Sequence, residues 1–420
     1  MFRSLRLFNY RIWFTGALIS NVGAWMQSTA LSWTVLTVLT ENDATQVGIN
    51  MALQFGPQLL LVPVSGLIAD KYDRRKVLLV TQSAMGGLAL ILGVVVTAGL
   101  VELWHVQLFA LAFGIVQAFD MPARQAFVSE LVGQEDIANA VALNSASFHG
   151  ARLIGPAVAG VLIALVFPGP VFLINALTFI AMIVALARIR TAELQPSPRG
   201  AKGFGDIVQG FRYVRKRGDL LIVFTMAFIL GTFGLNFPIY ISTMTSVEYR
   251  AGADTFGILS SAMAIGSVTG ALMAARAARP RWTLIIGGLG LFALACAAAA
   301  VAPHIIVFGV TLVLAGFTAQ LFMTNANSMV QLTSAPEVRG RVMALYGAVF
   351  MGGTPIGAPI VGWVADAWGP RAGILVAAGT CLVAFVIGGV WWVRTRRADR
   401  MSRTGTLTLP PPTESMNITK

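Results

Sequence analysis

Gly66-Leu67-Ile68-Ala69-Asp70-Lys71-Tyr72-Asp73-Arg74-Arg75-Lys76 joins two runs, roughly residues 46 to 68 and 77 to 99, that contain no charged residue. Six of its last seven residues are charged. Each flanking run meets the roughly 20 apolar residues that an α-helix needs to cross a bilayer. The stretch therefore reads as a tight charged hairpin between two membrane-crossing helices, and this reading fixes lipid as the solvent for the fold.

The same alternation extends in both directions. Apolar stretches fall at roughly 12 to 39, 46 to 68, 77 to 99, 103 to 125, 139 to 166 and 170 to 188, then at 219 to 241, 255 to 275, 283 to 302, 305 to 331, 342 to 366 and 371 to 393. All exceed the roughly 10 residues of a barrel strand, so the expected fold is all-α and integral to the membrane, with twelve transmembrane helices. Composition agrees: 56% of the 420 residues are hydrophobic and 11% charged, against roughly 25% charged in a soluble chain.

A net charge of +12 raises the question of nucleic acid, and the placement of the basic residues excludes it. They cluster between apolar stretches, at Lys71 to Lys76, Arg188 to Arg217, Arg276 to Arg281 and Arg394 to Arg403, and form no continuous face. Alternate connections hold nearly all of them, while the others hold Arg250 and Arg371 with Glu41, Asp43, Glu102, Glu248 and Asp254. This positive-inside pattern places both termini in the cytoplasm of a multi-pass inner-membrane protein. No cleaved signal segment is expected, and Cys296 and Cys381, each within an apolar run, read as small core residues.

The longest break between spans divides the chain into a bundle over residues 1–188, a linker over 189–218, a second bundle over 219–393 and a tail over 394–420 that reads as disordered. In the linker, Phe204, Ile207, Val208, Phe211 and Val214 follow a helical rhythm, with Arg212, Arg215 and Lys216 mostly off that face, which predicts an amphipathic helix on the membrane surface. The halves are similar at a constant offset of 202. Gly114 pairs with Gly316, Glu135 with Glu337, Phe148 with Phe350, Gly155 with Gly357 and Gly160 with Gly362. Two pseudo-symmetric six-helix bundles follow, an arrangement that builds transporters with a binding site between the repeats.

The opening stretch resembles the signature loop of the major facilitator superfamily. The resemblance implies a cytoplasmic gating loop in which Gly66 allows close helix contact and Asp70 and Arg74 form a latch supported by Arg75 and Lys76. The second-half counterpart, Gly270 followed by Ala274 and Arg276, lacks the acid, so the latch should be lopsided. In the fifth stretch, Gly155, Pro156 and Gly160 look like the superfamily's antiporter motif. With Phe119-Asp120-Met121-Pro122-Ala123-Arg124, they are most similar to the drug-exporter branch that includes the enterobactin exporter. Bottom-up, Gly155 and Pro156 permit close approach and bending at the interface of the halves.

In that family the first, fourth, seventh and tenth helices line the cavity, and all four carry polar residues here. The first places Asn21, Trp25, Ser28 and Ser32 on one face, and the tenth repeats the spacing with Gln320, Thr324, Asn327 and Gln331. The fourth offers Gln117, Asp120 and Arg124, and the seventh Thr232, Phe233, Asn236 and Tyr240. Such groups must face a cavity or another helix, and interhelical hydrogen bonding is the alternative for each. Arg152 and Asp120 are charges at membrane depth. They default to function, as a substrate or proton pathway, with a mutual ion pair as the cheapest arrangement.

These features point to a secondary active transporter that exports small amphipathic molecules by alternating access, with protons as the counter-substrate. A lipid or lysophospholipid flippase is the second transport reading, and a non-transporting membrane sensor the alternative of another class. No acid lies in the first helix, where many proton-coupled drug exporters carry one, so proton coupling is an inference. No enzyme activity, cofactor, metal or nucleic-acid partner is expected. The Walker lysine loop is missing, and His105, His149 and His304 lack ligand spacing. The expected partners are a small-molecule substrate, protons and the lipid bilayer, with the protein acting as a monomer.

Overall fold

A computed structural model of the chain describes residues 3–195, 204–276, 280–336 and 338–405. Regular structure among them is entirely helical. The first bundle comprises α1 (Phe8–Trp33), α2 (Ala44–Lys71), α3 (Arg74–Thr97), α4 (Leu103–Leu131), α5 (Ile137–Leu165) and α6 (Gly169–Arg188). After the short α7 (Phe204–Arg215), the second bundle opens with a broken span, α8 (Gly218–Ile229) and α9 (Phe237–Thr243). It continues with α10 (Ala253–Ala275), α11 (Trp282–Ala300), α12 (Ile305–Thr333), a second broken span of α13 (Arg339–Gly352) and α14 (Thr354–Trp368), and α15 (Pro370–Gly405).

Among the described residues, ten spans are long and apolar enough to cross a membrane, each broken pair counting as one. The other two long helices, α1 and α2, are interrupted by amide side chains: Asn9, Asn21 and Gln27 in α1, and Gln46, Asn50, Gln54 and Gln58 in α2. At 26 and 28 residues they rise about 39 and 42 Å, enough for a crossing. They pack with α4, α5 and α6 inside the first bundle, which brings the count of crossing helices to twelve.

Local chemistry sets the helix ends. Asp43 caps α2 by accepting from the Gln46 amide at 3.0 Å, and Asp73 caps α3 by accepting from the Lys76 amide at 3.1 Å. The second acid of the opening stretch is therefore a helix cap. α15 continues to Gly405, past residue 393, where the sequence reading ended the last span. The segment from Arg394 to Thr404 holds no glycine or proline and several arginines, a composition that favours continued helix. Residues 406–420 lie outside the described residues.

Across the bundles, α2 packs on α14 and α5 on α10. These pairings are equivalent under the repeat, because α2 and α10 are the second spans of their halves and α5 and α13–α14 the fifth. α7 packs against α13, and the Tyr213 hydroxyl accepts from the Ala335 amide at 3.2 Å. α7 is thus tied to the second bundle through Tyr213. The side chains of residues 204–209, which carry much of the expected amphipathic face, lie outside the described residues.

Candidate substrate pathway

The bundles meet tightly at one end, called here the acid end because its loops hold Glu41, Asp43, Glu248 and Asp254. A Cβ added at Gly48 would lie 2.4 Å from the Ala358 carbonyl oxygen, and one at Gly160 would lie 2.5 Å from that of Ala253. Both are backbone contacts that only glycine allows. Trp33 stacks on Phe256 at 5.5 Å, and the Ser246 hydroxyl donates to Asn42. The Asp366 carboxylate of α14 accepts the backbone amides of Ala44 at 2.7 Å and Thr45 at 2.8 Å, so the second bundle holds the N-terminus of α2. Burial and the neighbouring Asp366 carboxylate keep the Asp43 carboxyl above its usual range.

Toward the opposite, basic end the contact loosens. A Cβ at Gly56, Gly66 or Gly150 would meet nothing within 4 Å. The close contact expected at Gly66 is therefore not made in this structure; toward the basic end α2 meets α13 instead, where Leu59 lies against Gly352. In the same region Ser145, Phe148, Asn327 and Gln331 are exposed. Exposed hydrogen-bonding side chains toward one end of a span are tolerated where water reaches them. The bundles thus meet more tightly at the acid end than at the basic end, and the space between them is here called the crevice.

The gating loop residues contact their own bundle. Arg74 is buried and ion-paired with Glu130 of α4 at 2.6 Å. Arg75 donates to the carbonyls of Leu186 at 2.7 Å and Ala187 at 3.0 Å, satisfying the C-terminus of α6. Lys76 is exposed, and the side chain of Asp70 lies outside the described residues, as does Glu337.

Asp120 does not pair with Arg152. It is buried and accepts from Thr81 at 2.7 Å, Gln82 at 2.7 Å and its own-helix neighbour Arg124 at 3.0 Å. The four-residue spacing puts Asp120 and Arg124 one turn apart on α4, and the Arg124 guanidinium also lies 5.9 Å from the Trp13 ring centre. Nearby, Gln117 accepts from Gln58 of α2 at 2.8 Å. Thr81, Gln82 and Gln58 escaped the sequence reading because α2 and α3 lie outside the helices taken to line the cavity.

The seventh span also differs from expectation. Asn236 and Tyr240 are fully buried and serve the break between α8 and α9. Asn236 donates to the Thr232 carbonyl at 2.8 Å, and the Tyr240 hydroxyl donates to that of Phe233. Pro238 lacks an amide and the turn at Leu230–Gly234 is widened, so these carbonyls need side-chain donors. Neither residue lines the crevice here. In α12, Gln320 donates to Thr324 at 3.2 Å, both half-buried, and Asn327 is exposed.

One cluster of candidates meets at mid-span on α1 and α5. Asn21 donates to Ser147 at 3.2 Å, the Trp25 and Phe148 rings meet edge to face at 5.6 Å, and the Arg152 guanidinium lies 5.4 Å from the Trp25 ring centre. Gly155 packs this helix on α1, where a Cβ would fall 2.6 Å from that of Trp25. On the opposite side the Pro156 carbonyl lies against Gly257 of α10. The fifth helix is thus wedged between the bundles at Gly155, Pro156 and Gly160.

Two broken-symmetric bundles around a one-sided crevice define the fold of a major facilitator transporter. The family described as Transmembrane secretion effector matches residues 2–419, and the chain belongs to it. The chain is 25% identical over 363 residues to the staphyloferrin A transporter of Staphylococcus aureus, covering 86% of this chain and 90% of that one. It is 28% identical over 327 residues to the enterobactin exporter EntS of Shigella flexneri, covering 76% of each. Among solved structures, the nucleoside transporter NupG superposes with a TM-score of 0.72 at 13% identity, over 91% of this chain and 99% of that one. The protein is a multi-pass membrane transporter and not an enzyme.

Proposed function

We propose that this protein exports small amphipathic molecules from the cytoplasm by alternating access, driven by proton antiport across a bacterial inner membrane. The observation that carries the reading is the asymmetry of the interface: glycine-tight at the acid end, open at the basic end. By the positive-inside rule the basic end faces the cytoplasm, so the crevice would load there. The repeat-related pairs α2–α14 and α5–α10 would be the surfaces on which the bundles rock. Export is supported by the named enterobactin exporter among the relatives, and an aromatic crevice bearing Trp25 and Phe148 suits an amphipathic cargo. Residues 1–188 and 219–393 would move as the two bodies, with α7 travelling with the second. Asp70 would engage the second bundle when the basic end closes.

The test is flux in proteoliposomes under an imposed proton gradient. Export that requires the gradient supports the reading, and substrate flux that persists after the gradient is collapsed rules out proton drive. Normal turnover in Asp70→Ala would reject the latch.

A further inference from the structure

Among the described residues Arg152 has no counter-ion. Among them no carboxylate pairs with its guanidinium and no hydrogen bond reaches it; it lies over the Trp25 ring and within electrostatic reach of His149. The other arginines in the first bundle's interior are neutralised, Arg74 by Glu130 and Arg124 by Asp120. An arginine at the centre of a span is costly, and a structural guanidinium would have an acid within reach. Asp120, the acid available in the first bundle's interior, is already committed to Arg124, Thr81 and Gln82.

The surroundings show what the missing partner would be. Arg152 is half-buried, and Phe148, one turn away on the same face of α5, is exposed. His149 presents a buried Nδ1 with no partner. Asn21 and Ser147 join α1 to α5 on the basic side of the cluster. A fixed cation whose five N–H donors meet no protein acceptor, beside two aromatic rings at the crevice, matches an oxyanion carried on an apolar or aromatic body.

We propose that Arg152 is the anion anchor of the substrate site and that the cargo is an amphipathic organic anion, its carboxylate or other oxyanion on Arg152 and its apolar body against Trp25 and Phe148. This rests on the export reading for the word cargo, and on the geometry of Arg152 for the charge. The site disfavours cationic amphiphiles, because a cation would meet an uncompensated guanidinium at mid-span.

The experiment uses the purified full chain in detergent, with carboxyfluorescein as the anionic probe and a rhodamine ester as a cation on the same ring frame. Binding is read by fluorescence anisotropy, and folding by thermal melting without probe. The wild type should bind the anion at least about tenfold more tightly than the cation, and Arg152→Gln should lose at least about tenfold in anion affinity. Arg152→Lys should keep most of that affinity. Without probe, Arg152→Gln should melt within a few degrees of wild type, because no ion pair or hydrogen bond is lost and only the contact with the Trp25 ring goes. Failure of the wild type to bind the anion, equal anion affinity in Arg152→Gln, or a marked drop in its melting temperature would each overturn the assignment. Flux in inside-out vesicles separates the two claims: anion binding without export removes the export reading alone, whereas export of the cation in preference to the anion removes this inference alone.

Discussion

Asp120 illustrates how a buried charge is made tolerable. Its carboxylate meets three donors from two helices, so loss of the acid would leave the Arg124 guanidinium unpaired in the bundle. Asp120→Ala should destabilise the protein by about 3 kcal/mol, read as a lowered unfolding midpoint in detergent. Asp120→Asn separates structure from proton transfer, because it keeps the shape and one acceptor. If Asp120 carries the proton, the variant folds but its flux no longer responds to the gradient, and an unchanged flux excludes that role. At this scale the sequence was only partly readable. The Asp120–Arg124 spacing was visible in it, whereas Asn236 and Tyr240 looked like cavity residues because periodicity assumes an unbroken helix. Pro238, Gly231 and Gly234 mark the break that redirects both side chains to backbone carbonyls. Asp366 escaped because its partners, Ala44 and Thr45, lie more than 300 residues away, and no local pattern reports such a contact.

At the scale of the element, the acid-end seal depends on backbone contact between helices. A side chain at Gly160 would collide with the Ala253 carbonyl of α10 at 2.5 Å, and main chain cannot yield as a flexible side chain can. Gly160→Val should hold the acid end apart, cutting flux by at least about tenfold and raising the reactivity of a cysteine introduced at Ser246. The same end should respond to pH. Asp43 is held above its usual range first by burial and then by Asp366, so its protonated form favours the closed arrangement. That stabilisation is complete below the ordinary carboxylate range and is lost as pH rises through the raised value, where two carboxylates face each other. Accessibility of a cysteine at Ser246 should therefore increase from about pH 4 to pH 8, and Asp43→Asn, which keeps the helix cap, should flatten the response. The spans themselves were legible, because runs free of charge over about 20 residues admit few alternatives. The extension of α15 was not, since its arginines read equally well as a solvated tail.

At the scale of the whole molecule, the duplicated halves and their interface explain why the crevice has one mouth. The repeat visible at an offset of 202, from Gly160 to Gly362 for instance, places corresponding helices in corresponding pairs, α2 with α14 and α5 with α10. Under the proposed alternating access, two states related by the pseudo-symmetry would be near-equivalent packings of the same surfaces. On that reading, the tight glycines Gly48 and Gly160 and the open Gly66 and Gly150 mark the structure as the state closed at the acid end. Sequence patterning could not supply this, since a conformational state is a property of inter-bundle distances. The most direct measurement is double electron–electron resonance on two spin-label pairs at exposed or partly exposed positions, Glu41 with Val247 at the acid end and Tyr72 with Arg276 at the basic end. The account predicts two populations whose distances change in opposite senses, the basic-end pair closing as the acid-end pair opens when the proton gradient is imposed. A single distance at each end, or ends that open together, would contradict it.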